Sequence, residues 1–207
     1  MGHKDNIGQG VSEQILAILK QEGVLRPRDL DAYHIPRRYL SRLYQQGLLD
    51  RSSRGLYIAA GTEMSERQSI VEVSKRVPDG VVCLLSALSI HGLTTQSPFE
   101  VWLAIDPKAR RPQFHDLPLR IARFSGDALT DGVEYHKIDG VKVPVYSPAK
   151  TVADCFKYRN KIGLDIAIEA LKDGWDGKRF KMDELWRYAR ICRVQNVMQP
   201  YLEAVTS

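Results

Sequence analysis

Residues 12–60 carry three short helical patterns followed by two short apolar runs. The first pattern begins at Ser12, a good helix cap, and the second begins at Pro27, because a first helical turn does not need the N–H that proline lacks. The third pattern runs from about Pro36 to Gln46. Two apolar runs then flank the turn cluster at residues 52–55, which predicts a hairpin. Three helices and a hairpin in this order predict a winged helix-turn-helix.

The third helical pattern has an apolar face and a polar face. At about 100° per residue, Tyr39, Leu40 and Leu43 share the side that is predicted to pack on the first two helices. The opposite arc holds only polar side chains, namely Arg37, Arg38, Ser41, Arg42 and Gln45. Arginine pairs with guanine and glutamine with adenine, and each good pair contributes about 1 to 3 kcal/mol of discrimination. This face is therefore predicted to bind the major groove of double-stranded DNA.

Basic residues outside this helix supply further candidate DNA contacts. Arg51 and Arg54 flank the hairpin turn, where their guanidinium groups can reach the minor groove or backbone phosphates, and Arg28 is a candidate for a phosphate contact. Residues 26–54 hold seven arginines against three aspartates, so most of the net charge of +5 lies in this segment. A charged helix face is also typical of a solvated surface or a protein-docking module, and the pattern alone leaves these interpretations open.

The composition indicates a folded globular chain. With 207 residues, of which 43% are hydrophobic and 27% charged, it lacks the low-hydrophobicity, high-charge character of a disordered protein. The longest apolar run, Val81–Ile90, is about half the length of a membrane span, so no membrane partner is expected. Residues 1–10 lack the pattern of a signal peptide, and the three cysteines form no Cys-x-x-Cys pair. We therefore expect a cytoplasmic protein.

Residues 62–207 mix strands and helices without regular alternation. Helices are predicted at 64–77, at 81–92 and over most of 148–205, and strands at 99–106, at 119–124 and in a hairpin at 133–147. The whole chain is therefore predicted to be α+β. Residues 1–61 form the winged helix-turn-helix DNA-binding domain, and residues 62–207 form a mixed α+β domain with a small, largely antiparallel sheet and C-terminal helices.

Several blocks of the sequence occur in the order found in a known family. The amino-terminal blocks are Arg28-Asp29-Leu30, residues 35–40 (IPRRYL), Gly47-Leu48-Leu49 and residues 54–57 (RGLY). They resemble the winged helix of AbiEi-type antitoxins, which belong to the type IV toxin-antitoxin systems of abortive infection, a form of phage defence. The later blocks resemble the carboxy-terminal antitoxin domain of that family: residues 85–88 (LSAL) with 91–94 (HGLT), residues 101–105 (VWLAI) and residues 147–156 (SPAKTVADCF).

The resemblance implies a transcriptional repressor of its own toxin-antitoxin operon, which binds promoter repeats through its first domain. It also implies a functional partner, a nucleotidyltransferase-like toxin that the second domain counters with or without direct contact. The alternative function is that of a winged-helix transcriptional regulator whose second domain is only a protein-interaction or dimerisation module.

No catalytic or metal site is predicted. Ser147 and Lys150 have the Ser-x-x-Lys spacing of a serine nucleophile with a lysine base, but a serine before a proline is better explained as a helix start. Asp139 is better explained as the residue before a turn glycine than as a nuclease carboxylate paired with Glu134. No histidine has companions at the spacing of metal ligands. We therefore expect a protein without enzyme activity, metal or cofactor.

A possible secondary basic surface lies in the second domain, around a loop that contains proline. Its members are Lys108, Arg110, Arg111, Arg120 and Arg123. The ordinary interpretation of such a cluster is a solvated face. The functional interpretation is a surface that extends the DNA track or meets an acidic toxin or RNA.

Overall fold

The computed structural model describes residues 3–53, 55–62, 67–114 and 117–206. Backbone contacts divide the chain into two compact units: Met1–Arg76 with His136–Val143, and Val77–Tyr135 with Pro144–Ser207. Helices are combined with a two-stranded sheet near the amino terminus and with a five-stranded sheet in the remainder of the chain. The predicted α+β class is confirmed.

The first unit contains the predicted helices and hairpin in the predicted order. Its elements up to Arg76 are α1 (His3–Glu22), the 3-10 helix η1 (Pro27–Tyr33), α2 (Arg38–Gln45), β1 (Leu49–Ser53), β2 (Leu56–Ala59) and α3 (Gln68–Arg76). α1 begins well before Ser12, because the apolar stripe marks only the part of the helix that packs on the core. β1 and β2 pair antiparallel, with a bulge between Arg51 and Ser53.

The core of the first unit joins the hairpin to the helices. It takes buried apolar side chains from α1, η1, α2, both strands and the connections on either side of η1: Ile15, Ile18, Leu19, Leu25, Leu30, Ile35, Leu40, Leu43, Leu49 and Tyr57. Leu25, which follows α1, and Tyr57 of β2 exchange two backbone hydrogen bonds of 2.9 Å. This bridge holds the hairpin against the connection between α1 and η1.

A short turn sets the start of α2. His34 adopts the left-handed backbone conformation at the end of η1, and the buried Ile35 donates its N–H to the Leu30 carbonyl at 3.1 Å. Because a residue before proline avoids helical geometry, Ile35 stays outside the helix. The carbonyl of Pro36 accepts the Tyr39 N–H at 3.1 Å and closes the first turn. α2 therefore begins slightly later than the sequence predicts.

An ion pair between Arg26 and Asp29 stabilises the start of η1. Arg26 Nη2 lies 2.7 Å from Asp29 Oδ1, and the backbone N–H of Arg26 donates to Oδ2 at 2.8 Å. The guanidinium also donates to the carbonyl of Lys75, which joins η1 to α3. Burial raises the pKa of Asp29, but the hydrogen bonds from Arg26 outweigh it and hold this pKa below its usual 3.8. Arg26 is therefore a structural residue and not a free surface cation.

We expect Asp29→Asn to lower the free energy of unfolding of the first unit by about 1 to 2 kcal/mol at neutral pH, because a half-buried guanidinium loses its carboxylate. A carboxyl whose pKa is lowered by folding contributes stability above its unfolded pKa and loses that contribution as the pH falls through the folded pKa. The difference between variant and parent should therefore shrink below pH 3.8. Urea unfolding of variant and parent, followed through the NMR amide signals of Leu25 and Tyr57, measures this difference at neutral pH and at low pH.

The control is Asp31→Asn, which removes a carboxylate from an exposed ion pair with Arg37. Its effect should be smaller, because water screens an exposed pair. Equal effects of the two substitutions would contradict the structural role of Asp29.

The residues after α3 form the remaining elements. The strands are β3 (Val81–Val82), β4 (Val101–Ile105), β5 (Leu119–Arg123), β6 (Val133–Ile138) and β7 (Val141–Tyr146). The helices are α4 (Leu84–His91), α5 (Asp127–Thr130), α6 (Pro148–Lys157), α7 (Arg159–Ile162), α8 (Leu164–Asp176), α9 (Met182–Cys192) and α10 (Gln195–Thr206). The strand order in the sheet is β5-β4-β3-β7-β6.

The five-stranded sheet is mixed, whereas the sequence predicts largely antiparallel pairing. β3 is antiparallel to β4 but parallel to β7, and β4 is parallel to β5. The connection from β4 to β5, residues 106–118, is long enough to return the chain to the same end of the sheet. The helix predicted at residues 81–92 begins only at Leu84, because the β-branched Val81 and Val82 pair with β4.

Helix α6 lies at the centre of the core of the second unit. Its residues 149–156 are all buried, and it contacts α4, α8 and α9. The Ser147 side chain accepts the backbone N–H of Lys150, and Pro148 occupies the first turn. The interpretation of Ser147 as a helix start is confirmed.

A buried ion pair lies within α6. Lys150 and Asp154 are 0% and 1% exposed, and Lys150 Nζ lies 2.7 and 2.6 Å from the two carboxylate oxygens of Asp154. The same Nζ lies 4.1 Å from the ring centroid of Tyr146, and the Cys192 thiol donates to Asp154 Oδ1 at 3.1 Å. Burial raises the pKa of Asp154, and the charge of Lys150 opposes this shift. A buried charge is costly unless it is paired. The Lys150 ammonium and the Asp154 carboxylate can therefore be buried only together.

Candidate nucleic-acid interface

Helix α2 presents a polar face to solvent. Leu40 and Leu43 are fully buried in the core of the first unit, and Tyr39 is half-buried. The predicted inner face of this helix is therefore confirmed. On the other side, the side chains predicted to contact DNA bases are exposed, namely Arg38, Ser41, Arg42 and Gln45.

The exposed side chains of α2 differ in how they are held. The Arg38 guanidinium lies 5.7 Å from the ring centroid of Tyr39, which restrains it beside the helix. Ser41, Arg42 and Gln45 form no side-chain hydrogen bond or ion pair with any residue that the structure describes. Their donors are therefore available to an external acceptor, and two long side chains one turn apart can reach into a groove.

Arg37 lies at the start of α2 and is paired within the first unit. Its Nε donates to Asp31 Oδ1 at 2.9 Å, and Nη2 donates to Oδ2. The hydrogen bond from Arg37 lowers the pKa of Asp31, and the same pair raises the pKa of Arg37. The pair orients an exposed guanidinium at the start of α2, and the Asp31 carboxylate balances its charge.

The hairpin carries Arg51 on an exposed position of β1, beside the bulge. Gly55 adopts a φ of 82°, a conformation that favours glycine and completes the tight turn. Arg54, the second arginine predicted at this turn, lies outside the described residues. Arg28 is exposed on η1 and has no ion pair with a described residue.

Tyr44 is an exposed residue of α2 that the sequence analysis did not select. Its ring packs edge-on against Tyr57 of β2, with centroids 6.3 Å apart. An exposed tyrosine hydroxyl beside a basic helix face is a typical donor to a phosphate. The helical pattern does not select this residue, because an aromatic side chain at the border of the apolar face is normally assigned to the core.

The secondary basic surface separates into two kinds of residue. Arg123 Nη1 donates to the carbonyls of Asp106 and Ala109 at 2.6 and 2.7 Å, so it fixes the loop after β4. Arg120 Nε donates to Glu100 at 2.9 Å, and its guanidinium lies 5.3 Å from the centroid of Trp102. The remaining members are exposed and have no ion pair with a described residue: Lys108, Arg110 and Arg111.

The described residues show no arrangement that would hold a metal ion. No three His, Cys, Asp or Glu side chains within those ranges are grouped as ligands. His91 is buried, and its Nε2 lies 2.7 Å from the Tyr146 carbonyl oxygen. Among the residues that the structure describes, no helix is both long and apolar enough to cross a membrane.

Residues 13–60 match the family described as transcriptional regulator, AbiEi antitoxin. The match extends from the second half of α1 to the end of β2. It confirms the resemblance to AbiEi-type antitoxins over this segment. No curated protein sequence matches the chain.

The fold is similar to that of a solved bacterial protein. The crystal structure of the RV2827C protein from Mycobacterium tuberculosis aligns with a TM-score of 0.55 at 13% sequence identity, covering 86% of this chain and 70% of that one. At this identity the similarity shows a shared fold.

Proposed function

We propose that this chain, whose residues 13–60 match a family of transcriptional regulators and AbiEi antitoxins, is the antitoxin of a type IV toxin-antitoxin system and represses its own operon. The observation that carries the DNA-binding part is the division of α2, with Leu40 and Leu43 fixed in the core and Arg38 and Arg42 exposed on the opposite side. A recognition helix needs this division, because one side must be anchored while the other enters the groove.

In this proposal α2 lies in the major groove and the hairpin lies along the backbone. Arg42 and Gln45 read base edges, since their donors have no partner in the described protein. Arg51 and Arg28 neutralise phosphates and position the domain without reading sequence. The DNA is double-stranded and carries repeats in the promoter of the operon, and the protein acts in the cytoplasm.

We expect Arg42→Ala to weaken binding of the full chain to its own promoter fragment by about 5- to 30-fold, which corresponds to about 1 to 2 kcal/mol. The loss should be smaller on a scrambled fragment of the same length, because only base contacts distinguish the two sequences. Fluorescence anisotropy at fixed salt measures both affinities. The matched control is Arg190→Ala, which removes an exposed arginine of α9 and should leave both affinities unchanged. Unchanged promoter affinity in Arg42→Ala would overturn the assignment of α2.

A salt series separates base contacts from phosphate contacts. The logarithm of affinity should fall linearly with the logarithm of salt concentration, and Arg51→Ala should reduce the slope by about 0.9 for the one phosphate contact it removes. Arg51→Ala should weaken promoter and scrambled DNA equally. An affinity that does not depend on salt would indicate a protein-docking surface.

The antitoxin part of the proposal concerns the second unit and a nucleotidyltransferase-like toxin. The match of residues 13–60 to a family that includes antitoxins supports an antitoxin role for the chain, and we propose that the second unit carries this role and that the chain itself is not an enzyme. Co-expression with the toxin gene of the same operon should restore growth. The double variant Arg38→Ala, Arg42→Ala, expressed from an unrelated promoter, should restore growth equally, because neutralisation does not use the DNA-binding face. Failure of the parent chain to restore growth would leave a transcriptional regulator whose second unit has another role.

A further inference from the structure

A pocket of about 430 Å³ opens in the second unit between the end of β5, α5, α6 and the end of α9. This volume falls within the range of small-molecule sites. Three pairs of residues define its character. Phe124 and Tyr158 form an aromatic wall, Asp154 and Cys192 lie at its buried end, and Lys157 and Arg193 lie at its exposed rim.

The buried end of the pocket holds a fixed hydrogen-bond acceptor. The Asp154 carboxylate accepts two hydrogen bonds from Lys150 Nζ and one from the Cys192 thiol. A carboxylate has about four acceptor positions, so these three hydrogen bonds leave one position unused on a residue that lines the pocket. Because Asp154 is 1% exposed and held from two sides, it cannot turn away to solvent. This end of the pocket therefore favours a ligand group that donates a hydrogen bond.

The wall favours a flat ring. The rings of Phe124 and Tyr158 contact edge to face with centroids 5.5 Å apart, and the Tyr158 hydroxyl donates to the Arg123 carbonyl at 3.4 Å. These contacts fix the tyrosine ring at the side of the pocket. A fixed aromatic side chain beside a polar acceptor is how proteins hold a nucleobase.

The rim favours an anion. Lys157 and Arg193 are exposed, and neither forms an ion pair with a described residue. Arg193 follows α9 in the left-handed conformation, with a φ of 58°, so its backbone direction is set by the end of that helix. Besides Asp154, the described lining contains one acid, Asp127, so two free cations outnumber the carboxylate at the entrance.

We propose that this pocket binds a mononucleotide. The base contacts Phe124 and Tyr158 and donates its exocyclic amine to Asp154, while the phosphate contacts Lys157 and Arg193 at the rim. The arrangement favours bases that carry an amine, which are adenine, cytosine and guanine, over uracil, whose N3–H lies between two carbonyl oxygens that a carboxylate repels. It also selects the nucleotide over the nucleoside, because only the nucleotide meets the two cations. The proposal is independent of DNA binding by α2.

Isothermal titration of the full chain tests the proposal with AMP, CMP, GMP and UMP, and with adenosine and inorganic phosphate as partial ligands. At least one amine-bearing nucleotide should bind 10-fold or more tightly than UMP, and 10-fold or more tightly than its nucleoside or phosphate alone. Lys157→Ala and Arg193→Ala should each weaken this binding by 5-fold or more. Both residues are exposed, so the variants should keep the urea midpoint of the parent.

Two controls make the result specific to the pocket. Lys172→Ala, at an exposed position of α8 outside the pocket, should leave nucleotide affinity unchanged. The double variant Arg38→Ala, Arg42→Ala should also leave it unchanged, which separates this pocket from the DNA-binding face. Three results would each overturn the proposal: no nucleotide binding at millimolar concentration, equal binding of phosphate alone, or full nucleotide affinity in both rim variants.

Discussion

Lys150→Met should lower the free energy of unfolding of the second unit by about 3 to 5 kcal/mol at neutral pH. The substitution keeps an unbranched side chain of similar length but leaves the Asp154 carboxylate buried without its cation. Tryptophan fluorescence during urea unfolding is the suitable measurement. All three tryptophans, Trp102, Trp175 and Trp186, belong to the second unit, so the signal reports on that unit.

The size of this loss should depend on pH in a defined direction. Burial already raises the pKa of Asp154 above its usual 3.8, and loss of Lys150 removes the charge that opposes this shift. A carboxyl whose pKa is raised by folding costs stability above its unfolded pKa, and the cost disappears when both states are protonated. The deficit of Lys150→Met should therefore be largest at neutral pH and shrink as the pH falls toward 3.8.

The double variant Lys150→Met, Asp154→Asn provides the decisive control. It removes both charges and keeps both volumes, so it should recover most of the stability that the single variant loses. Lys172→Met, at an exposed lysine of α8, should change stability by less than about 0.5 kcal/mol. A double variant no more stable than Lys150→Met would show that packing, and not an unpaired charge, causes the loss.

Leu43→Ala should lower the free energy of unfolding of the first unit by about 3 kcal/mol. Leu43 is fully buried in α2, and truncation of a buried leucine loses transfer free energy and leaves a cavity. Because α2 is then held less firmly, promoter affinity should also fall, although the substituted side chain faces away from DNA. Hydrogen exchange of the Leu25 and Tyr57 amides, which join the hairpin to the helices, reports on this unit.

Leu48→Ala is the matched control, since Leu48 lies five positions along the chain and is 45% exposed. It should change amide protection and promoter affinity little. If Leu43→Ala weakened exchange protection and left promoter binding intact, then DNA would be bound by a surface that does not depend on the position of α2.

The sequence predicts the first unit well because its signals are local. The division of α2 follows from the helical period alone, and Pro36 and Gly47 mark its limits. The structure places Leu40 and Leu43 inside and Arg42 outside accordingly. Each of these facts involves residues within a few turns of one another, so no knowledge of the tertiary fold is needed.

The second unit is harder to predict because its key contacts join distant segments. β3 has two residues, and its strand character comes from pairing with β4 and β7, which apolar periodicity does not reveal. Lys150 and Asp154 are four residues apart on one helix, a spacing that is ordinary on a solvated surface. Lys150 and Asp154 form an internal ion pair only because residues 149–156 of α6 are all buried, which the spacing does not reveal.

The sequence also does not show which charged side chains are paired within the protein. Arg37 pairs with Asp31 across the turn before α2, and Arg123 fixes the loop after β4 through two carbonyls. A count of arginines treats these side chains as equal to Arg42 and Arg110. The structure distinguishes arginines that donate to acceptors of the protein from exposed arginines without such a partner among the described residues. Only the second group has all its donors available for a phosphate.

In the proposed DNA complex, the length of α2 limits the number of base pairs that one copy of the protein can read. Eight residues extend about 12 Å, which matches the rise of about three to four base pairs. About four positions distinguish only a few hundred sequences, while a genome offers roughly a million or more competing sites. In the proposed repressor, one copy bound through so short a helix cannot specify a single site, so several copies on adjacent repeats are needed, and the number of repeats in the operator sets the selectivity of binding.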